Sequence, residues 1–399
     1  MDASGEVEAT IERIVPGGLG LAHAAGRTLF VRGAAPGDRL RARIERRQGA
    51  VDFASVVEVV EPSPERVEPP HPEATLCGGC DFQHLSYEAQ LAAKAAIVTD
   101  CLRRIAKVDA PGDPPIEPSP RQWGYRARAE WRRDAERGLL GYLEQGSHRV
   151  CDVAHDPLVL PELDRALGDL RRRLVAATLP AGATGFRAAV GDDGVSIAPA
   201  PDGGEPAEIV RAVGGERYAH DADCFFQTNP GVLEPLVAEA LSFAPDAADA
   251  GERPAIDLFC GVGLFTLPLA RRFRRVVGVE SHARSANFAA RNAATAQLRG
   301  VKIEAAAVGP WLDGASRSFG RPPLVLLDPP RTGLDPRELR GVLRLRPERI
   351  AYVSCDPATL ARDLKGMLAA GYRLERVAAV DMFPQTHHVE VVAHLERER

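Results

Sequence analysis

The sequence predicts an α/β protein with a doubly wound, Rossmann-like domain, an N-terminal oligonucleotide-binding-type β-barrel and a mixed central domain. Three observations indicate this arrangement. Beyond residue 229, short apolar segments alternate with helical stretches, as in a doubly wound sheet. Residues 7–60 instead contain short strand-like runs separated by glycine turns, which is typical of a small barrel. The proline-rich stretch 62–70 between them indicates a linker. We therefore expect domains at residues 1–62, 71–228 and 229–399. The second of these contains a cysteine knuckle around Cys77 and Cys80.

Each predicted element has its own signal. Residues 8–15 and 28–31 have strand character in the barrel. Ser86 is a suitable capping residue for a helix that runs to about Ile105. Apolar runs predict the strands of the doubly wound domain at Ala255–Phe259, Val276–Val279, Val301–Ile303, Leu324–Leu327, Arg349–Val353 and Val389–Leu395.

The bulk composition limits the class of protein. The chain has 399 residues, of which 45% are hydrophobic, so sizeable cores are expected. No apolar run approaches the length of a membrane span, and the first residues lack a signal pattern, so we expect a cytoplasmic protein. The seven cysteines are an odd number without a small-domain framework, which argues for reduced, metal-bound or catalytic thiols.

The charge distribution leaves nucleic-acid binding open. A net charge of −5 gives no global support for it, but arginines cluster locally. The clusters are Arg39, Arg41, Arg43, Arg46 and Arg47, and Arg121, Arg126, Arg128, Arg132, Arg133 and Arg137. Each cluster is either a phosphate-binding patch or a solvated strand face.

A glycine turn follows the first strand of the doubly wound domain, in residues 257–263. Glycines there let the backbone approach a ligand closely. Glu280 ends the next strand about 20 residues later, where an acid suits the hydroxyls of a ribose. The cofactor is then a dinucleotide or S-adenosylmethionine. Because Phe265 and Thr266 stand where a third glycine would complete the dinucleotide motif, the pattern favours S-adenosylmethionine.

Two further strands of the same sheet end in reactive groups. Asp328 is followed by two prolines and Arg331, and the prolines hold the acid rigidly at the sheet edge. Enzymes that methylate amino groups usually have an aromatic residue after such prolines, so Arg331 leaves carbon methylation as the expectation. Cys355 lies between a strand and a helix, at the edge where open α/β sheets keep their chemistry.

Cys355 suits methylation of a pyrimidine carbon. Uracil carbon 5 is a weak nucleophile until a thiolate adds to carbon 6, after which a base must remove the carbon-5 proton. The ordinary thiol pKa of about 8.5 requires a site that stabilises the thiolate, such as the following helix N-terminus. Glu390, on an otherwise apolar strand, is the candidate base, with His387 or His388 as alternatives.

These residues resemble the uracil-5 RNA methyltransferases along nearly the whole chain. Residues 354–363 resemble the nucleophile signature of that family, with Asp356 where asparagine is usual, and 381–390 resemble its C-terminal signature. The resemblance implies Cys355 as nucleophile and Glu390 as proton-abstracting base. It also implies that S-adenosylmethionine and uracil sites are lined by Gln227, Phe259, Glu280 and Asp328. Leu264 stands where some members have a polar residue that contacts the cofactor, so we do not assign that role to Leu264.

The resemblance also implies RNA as partner. The N-terminal barrel, with Pro36-Gly37-Asp38, resembles the small RNA-binding (TRAM-like) domain of the ribosomal-RNA branch. We therefore expect 23S ribosomal RNA in preference to tRNA, and a monomer without membrane association. Arg126, Arg128, Arg132 and Arg133 are expected to hold RNA backbone, with Trp123 and Tyr125 available for stacking. Cytosine-5 methylation and a catalytically lapsed RNA-binding protein stay as alternatives.

The cysteine knuckle departs from the family pattern. Members with a [4Fe-4S] cluster use four cysteines, and here only Cys77 and Cys80 match. His71 stands at the first position and Asp156 at the fourth, while Cys151 lies five residues before Asp156 and is a possible substitute. Carboxylate is a poor cluster ligand. A cluster with altered ligands, a zinc site and no metal at all are the three interpretations that the sequence allows.

Overall fold

The structure is a computed structural model that describes residues 5–24, 26–71, 79–109, 112–144, 146–245, 251–315 and 319–398. Within these ranges the strands form four sheets, of six, five, two and eight strands. Among the helices of these ranges, none is long and apolar enough to cross a membrane.

The N-terminal sheet has six strands, where the sequence indicated four or five. They are β1 (Glu6–Thr10), β2 (Arg13–Val15), β3 (Leu19–Ala24), β4 (Arg27–Arg32), β5 (Arg39–Gln48) and β6 (Val51–Glu61). Their spatial order is β1-β5-β6-β4-β3-β2, and every pair is antiparallel except β4 with β6. Alternate residues such as Leu29, Val31 and Leu40 point into one apolar core of their own.

The central region joins this sheet to the doubly wound domain. It contains helix α1 (Tyr87–Cys101), a π-helical turn (Leu102–Ala106) and α2 (Pro161–Val175). Its strands are β7 (Ile116–Glu117), β8 (Arg128–Asp134), β9 (Leu139–Leu143), β10 (Val150–Asp152), β11 (Gly185–Val190), β12 (Val195–Ala198), β13 (Ile209–Val213) and β14 (Glu216–His220). Ser86 caps α1 as predicted, because its side chain accepts a hydrogen bond from the Ala89 amide.

The C-terminal part is the predicted doubly wound domain. Its strands are β15 (Ala255–Leu258), β16 (Val276–Glu280), β17 (Val301–Ala305), β18 (Leu324–Leu327), β19 (Arg349–Ser354), β20 (Tyr372–Val380) and β21 (Glu390–Arg397). Its helices are α3 (Leu233–Ser242), preceded by a 3-10 turn (Pro230–Val232), α4 (Thr266–Arg272), α5 (Ala283–Thr295), α6 (Val308–Ala315), α7 (Pro336–Leu345) and α8 (Pro357–Ala369).

The large sheet has the order β17-β16-β15-β18-β19-β21-β20-β7. The first five are parallel, and β21 lies antiparallel between β19 and β20. Helices cover both faces: Val325 and Leu327 pack towards α6, α7 and α8, whereas Leu324 and Leu326 pack towards α3, α4 and α5. The predicted fold class is confirmed, and the strand order reverses between β15 and β18, where such sheets bind ligands.

The sequence missed strand β20. Arg373, Glu375 and Arg376 interrupt its apolar pattern. The strand forms because it pairs with β21 on one side and with β7, from the central region, on the other. Pairing across such a separation in the chain is not visible in local propensity.

A buried carboxylate organises the N-terminal sheet. Asp38 is fully buried and accepts hydrogen bonds from the amides of Ala35 (2.7 Å) and Ser63 (2.9 Å). The Arg66 guanidinium donates to it at 2.6 Å. Burial alone raises the pKa of Asp38, but these hydrogen bonds outweigh it, so the pKa lies below the ordinary value. The carboxylate therefore ties the β4–β5 turn to the chain that leaves the barrel.

We expect Asp38→Asn to destabilise the N-terminal sheet by about 2 kcal/mol, because it removes hydrogen bonds to a charged group. A lowered folded-state pKa contributes stability that is present above the unfolded pKa of about 3.9 and is lost as the pH falls through the folded value. The deficit should therefore stay constant from about pH 7 to 5 and shrink only below about pH 4. Hydrogen–deuterium exchange of peptides from residues 19–48 in a urea series would measure it.

Glu45→Gln is the matched control, because Glu45 is exposed on β5 of the same sheet. An equal loss in both variants would contradict the role given to Asp38.

Candidate active site

One cavity of about 640 Å³ lies at the carboxyl ends of β15, β16, β18 and β19. Six residues singled out in the sequence line it: Gln227, Phe259, Glu280, Asp328, Cys355 and Glu390. They come from distant parts of the chain, and the parallel sheet brings them together because its strands end at one edge. Their roles stay predictions, but their proximity is a property of the fold.

The glycine turn after β15 has an unusual backbone. Phe259 has a φ of +64°, a left-handed backbone conformation that residues other than glycine rarely adopt. Gly261 and Gly263 follow with φ values of +53° and +98°. The Gly261 amide donates to Oε2 of Glu280 at 3.0 Å, which joins this turn to the end of β16. The turn therefore exposes backbone to the cavity and fixes Glu280 beside it.

Glu280 is held at both oxygens. Its Oε1 accepts from the His282 amide at 2.6 Å, while Oε2 accepts from Gly261. Oε1 also accepts from the Ser281 hydroxyl at 3.2 Å. A carboxylate has about four acceptor sites, so Oε2 keeps one for a ligand hydroxyl. The side chain is thus oriented before any ligand arrives.

Two carboxyl groups near the cavity have raised pKa values: Asp257, which is fully buried, and Asp328, which is half-buried and lines the cavity. Burial raises the pKa of Asp257 to about 7, although the Thr266 hydroxyl donates to it at 2.5 Å. Burial likewise raises the pKa of Asp328, and the amide group of Gln227, which donates at 3.3 Å, opposes that shift. Oδ1 of Asp257 has no hydrogen-bond partner in the described part of the chain. Acids in this condition are typical of functional sites.

Cys355 follows β19 directly and precedes the cap of α8. The side chain of Asp356 accepts hydrogen bonds from the amides of Ala358 and Thr359, both at 2.9 Å. Burial, and next the nearby Glu390, raise the pKa of Cys355 to about 12, while Arg331 lowers it. The expected stabilisation of the thiolate by the helix N-terminus is therefore wrong for the free protein. Those amides are occupied by the Asp356 carboxylate, and burial dominates.

Glu390 begins β21 and is 1% exposed. Burial raises its pKa well above the ordinary value, Asp328 adds to the shift and Arg331 opposes it. The two histidines proposed as alternative bases are placed differently. His387 pairs with Asp81 through its ring and its amide, and burial lowers the pKa of His388 to about 3. Glu390 lines the cavity, which favours it over either histidine.

The sequence did not single out some aromatic residues of the cavity. Phe225 is 62% exposed at the cavity, and the guanidinium of Arg128 lies 5.6 Å from its ring centre. Phe265 and Phe383 also line the cavity. Phe383 lies within the 381–390 motif, and its position there was the available signal. An exposed aromatic ring beside a cavity suits contact with a flat ligand.

The described part of the cysteine knuckle does not fit a four-ligand cluster. Cys77 lies outside the described residues. Cys80 is 3% exposed and packs against Tyr125 and Leu158. Asp156 is engaged elsewhere, because it accepts from the Tyr142 hydroxyl at 2.5 Å and from the Leu158 amide at 2.9 Å.

The other two candidate ligands lie in different settings. The ring of His71 packs edge-on against Trp123 at 5.0 Å between centroids. Cys151 is half-buried on strand β10. Over the ranges that the structure describes, no three His, Cys, Asp or Glu side chains are arranged to hold a metal ion.

The central arginines take part in hydrogen bonds inside the protein. Tyr125 is 1% exposed, and its hydroxyl accepts from Arg126 at 3.1 Å. Arg128 donates to the Cys224 carbonyl and Arg133 to the Pro180 carbonyl at 2.9 Å. The predicted stacking of Tyr125 on RNA is therefore wrong, because the ring is buried, whereas the contact of the half-buried arginines with RNA stays a prediction.

Salt bridges also account for other members of the arginine clusters. Arg132 is exposed but pairs with Glu130 at 2.8 Å. On the N-terminal sheet, Arg39, Arg41 and Arg43 pair with acids at 2.6–3.0 Å. For these residues the solvated-face interpretation fits better.

Comparisons with known proteins agree with this site. The profile of the family described as tRNA (Uracil-5-)-methyltransferase matches residues 211–398. The 23S rRNA (uracil(1939)-C(5))-methyltransferase RlmD of Alkalilimnicola ehrlichii is 35% identical, over 96% of this chain and 94% of its own length. That of Pectobacterium atrosepticum is 34% identical, over 96% and 92%. An uncharacterized RNA methyltransferase of Gloeobacter violaceus is 34% identical, over 98% and 96%.

A solved structure shares the fold over nearly the whole chain. It is the tRNA (uracil-54, C5)-methyltransferase of Pyrococcus abyssi in complex with S-adenosyl-L-homocysteine, with a TM-score of 0.73 and 24% identity. The match covers 98% of this chain and 100% of that one. From the relatives at 34–35% identity that span almost its full length, this chain belongs to the uracil-5 RNA methyltransferase family.

Proposed function

We propose that this chain methylates carbon 5 of a uridine in RNA, with S-adenosylmethionine as methyl donor and a covalent bond between Cys355 and carbon 6 of the base. The observation that carries the proposal is the single cavity on which Cys355, Glu390 and Asp328 meet the glycine turn of β15. A thiol and a buried acid on one wall, and a ribose-binding acid on another, match the needs of this reaction.

The residues present fit S-adenosylmethionine. Phe259 and Phe265 offer apolar walls, and Gly261 has no side chain between its backbone and the cavity. Glu280 keeps an acceptor site on Oε2 for a ribose hydroxyl. Asp328 and Glu390 lie close to one another, and carboxyl groups favour a positively charged ligand. When bound, S-adenosylmethionine supplies an electrophilic methyl group on its sulfonium and leaves as S-adenosylhomocysteine.

Cys355 acts first. The thiol gives its proton to solvent, and Sγ then forms a bond to carbon 6 of the uracil ring. The electron pair of the 5,6 double bond moves into an enolate of carbons 5 and 4, which makes carbon 5 a nucleophile. Because burial raises the pKa of this thiol to about 12, the free protein holds a neutral thiol. Arg331 is the nearby cation that lowers this pKa, and it is placed to favour the thiolate when the base arrives.

Glu390 acts last. Once carbon 5 carries both its proton and the methyl group, the Glu390 carboxylate accepts the proton. The double bond re-forms, the bond from Sγ to carbon 6 breaks, and Cys355 leaves as a thiolate. A carboxylate whose pKa is raised by burial is a stronger base than one in water, which suits removal of a weakly acidic carbon-bound proton.

The substrate class is supported by the relatives. Two at 34–35% identity that span this chain are named as 23S ribosomal RNA methyltransferases. The six-stranded N-terminal sheet is consistent with the small RNA-binding barrel that the sequence predicts at residues 1–62. We therefore propose 23S ribosomal RNA as the substrate. The same reaction on tRNA is the second candidate, favoured by the description of the matching family profile.

We expect the protein to transfer tritiated methyl groups from S-adenosylmethionine to an unmodified 23S ribosomal RNA transcript, with the label recovered as 5-methyluridine. Cys355→Ala should reduce the label to background, because Cys355 is the proposed nucleophile for carbon 6, while S-adenosylmethionine still binds by calorimetry.

Parallel reactions with tRNA transcripts and separate analysis of 5-methylcytidine distinguish the alternatives. Label in tRNA alone would contradict the proposed substrate. Label in 5-methylcytidine would show that the methylated nucleobase is cytosine and not uracil. Binding of S-adenosylmethionine with no transfer to either RNA would indicate a lapsed enzyme.

We expect Glu390→Gln to trap the covalent adduct, because the methylated intermediate keeps its carbon-5 proton and cannot expel Cys355. A protein–RNA band that survives denaturing electrophoresis should accumulate, and turnover should fall by about 10²-fold or more. Glu396→Gln, at the far end of the same strand, is the control. Normal turnover without an adduct in Glu390→Gln would exclude Glu390 as the base.

We expect alkylation of Cys355 by iodoacetamide to be slow at neutral pH in the absence of RNA. With a pKa of about 12, the rate should rise about tenfold per pH unit from about pH 7 to 10 without a plateau. Mass spectrometry of the peptide that contains Cys355 measures the rate, and the Cys355→Ala protein sets the background. A plateau near pH 8 would show that the thiol is not perturbed as described.

A further inference from the structure

The segment that leads to Glu390 is hydrogen-bonded to a helix of the central region. Residues 381–389, here called the Glu390 loop, connect β20 to β21. Helix α1, almost 300 positions earlier in the chain, presents Tyr87, Gln90 and Lys94 to this loop. These spacings of three and four place the three side chains on one face of the helix.

Lys94 lies at the centre of the contact. Its side chain is completely buried, as is that of Asp381, and Nζ donates to Oδ1 of Asp381 at 2.5 Å. Nζ also donates to the carbonyl oxygen of Phe383 at 3.0 Å. The second oxygen of Asp381 accepts from the Tyr87 hydroxyl at 2.8 Å. One ammonium group thus fixes both the start of the loop and the backbone of an aromatic residue that lines the cavity.

Glutamine side chains extend the same contact. The Gln385 amide donates to Oε1 of Gln90 at 2.9 Å, and Nε2 of Gln90 donates to Oε1 of Gln385 at 3.0 Å. Gln385 has a φ of +66°, a strained conformation for this residue type. The Tyr125 hydroxyl donates to the Pro384 carbonyl at 2.9 Å. The loop therefore keeps a strained shape that its own sequence would not impose.

Stability alone does not explain a buried lysine at this place. The desolvation cost of a buried ion pair is often as large as its Coulombic gain, and apolar residues of similar size can be equally stable. What the pair adds over apolar packing is a directed contact, since the ammonium must point at one carboxylate and one carbonyl. Such a contact fixes the position of the loop relative to α1.

We infer that Lys94 is a positioning residue for proton removal: it holds the Glu390 loop so that Phe383 and Glu390 face the base bound to Cys355. This inference rests on the proposed function, because it takes Glu390 as the base. The methyl-donor part of the site depends on β15, β16 and their turns, whereas the hydrogen bonds of Tyr87, Gln90 and Lys94 described above run to the Glu390 loop. Loss of Lys94 should therefore impair elimination from Cys355 and leave binding of S-adenosylmethionine intact.

The test is Lys94→Met in the full-length protein, assayed with the RNA transcript that the wild type methylates. We expect turnover to fall by about 10²-fold, as for a small misplacement of a reacting group. The Kd for S-adenosylmethionine should stay within about twofold, because the Kd and the turnover depend on different elements. A covalent protein–RNA adduct should accumulate, as in Glu390→Gln.

Val98→Ala is the matched control, because Val98 is buried on the same helix and packs into the apolar core instead of the loop. It lowers the stability of α1 without touching the ion pair. The double variant Lys94→Met/Asp381→Asn removes both buried charges, so it avoids an unpaired carboxylate if the single variant folds poorly. The inference expects the adduct in this double variant too.

The outcomes separate the inference from the proposed function. Adduct in Lys94→Met and in the double variant, but not in Val98→Ala, supports the inference. Adduct in Glu390→Gln but in neither Lys94 variant, with activity lost only in proportion to the unfolded fraction, overturns the inference and leaves the proposed function standing. Absence of the adduct in Glu390→Gln contradicts the assignment of the base, and with it the statement that Lys94 acts through Glu390.

Discussion

The buried Asp257 and Glu390 lie near the half-buried Asp328 at the end of the sheet that carries the cavity, and keeping these carboxyl groups there is the constraint on which the site depends. Each would ordinarily ionise near pH 4 in water, and burial raises the pKa of all three. The surrounding donors offset only part of that cost. Carboxyl groups with raised pKa values accept a proton at neutral pH more readily than solvated carboxyl groups, and a cationic ligand stabilises their ionised form.

The same constraint explains why the site draws on the whole chain. The strands of the doubly wound sheet supply Glu280, Asp328 and Cys355 from their carboxyl ends, but Glu390 arrives on an antiparallel strand whose loop needs external support. Helix α1 gives that support through Lys94 and Gln90. The central region therefore supports the strand that carries the proposed base, in addition to connecting the N-terminal sheet to the methyltransferase domain.

The sequence predicted the fold class, and it brought out Glu280, Asp328 and Cys355 because each stands at the end of a strand that the local apolar pattern identifies. Glu390 stood out as a lone acid on an apolar strand, and Gln227 came from the resemblance to the family. It did not predict β20, whose charges hide its pairing, or the effect of Asp356, which occupies the helix amides that were expected to stabilise the thiolate. Nor did it show that Arg126 and Arg128 are used internally. Clusters of like charge carry no information about partners supplied by residues that are distant in sequence, such as Cys224, whose carbonyl accepts from Arg128.

The cysteine knuckle is also connected to the Glu390 loop. The Phe82 amide donates to the Gln385 carbonyl at 3.0 Å, and Asp81 accepts from the His387 amide at 3.0 Å, so the chain just after Cys80 is bonded to the Glu390 loop. Whatever orders this segment also orders the loop. At the position of the fourth cluster cysteine, Asp156 accepts hydrogen bonds from Tyr142 and the Leu158 amide, while Leu158 packs against Cys80. Hydrogen bonding and apolar packing thus hold the described part of the cysteine knuckle beside the Glu390 loop.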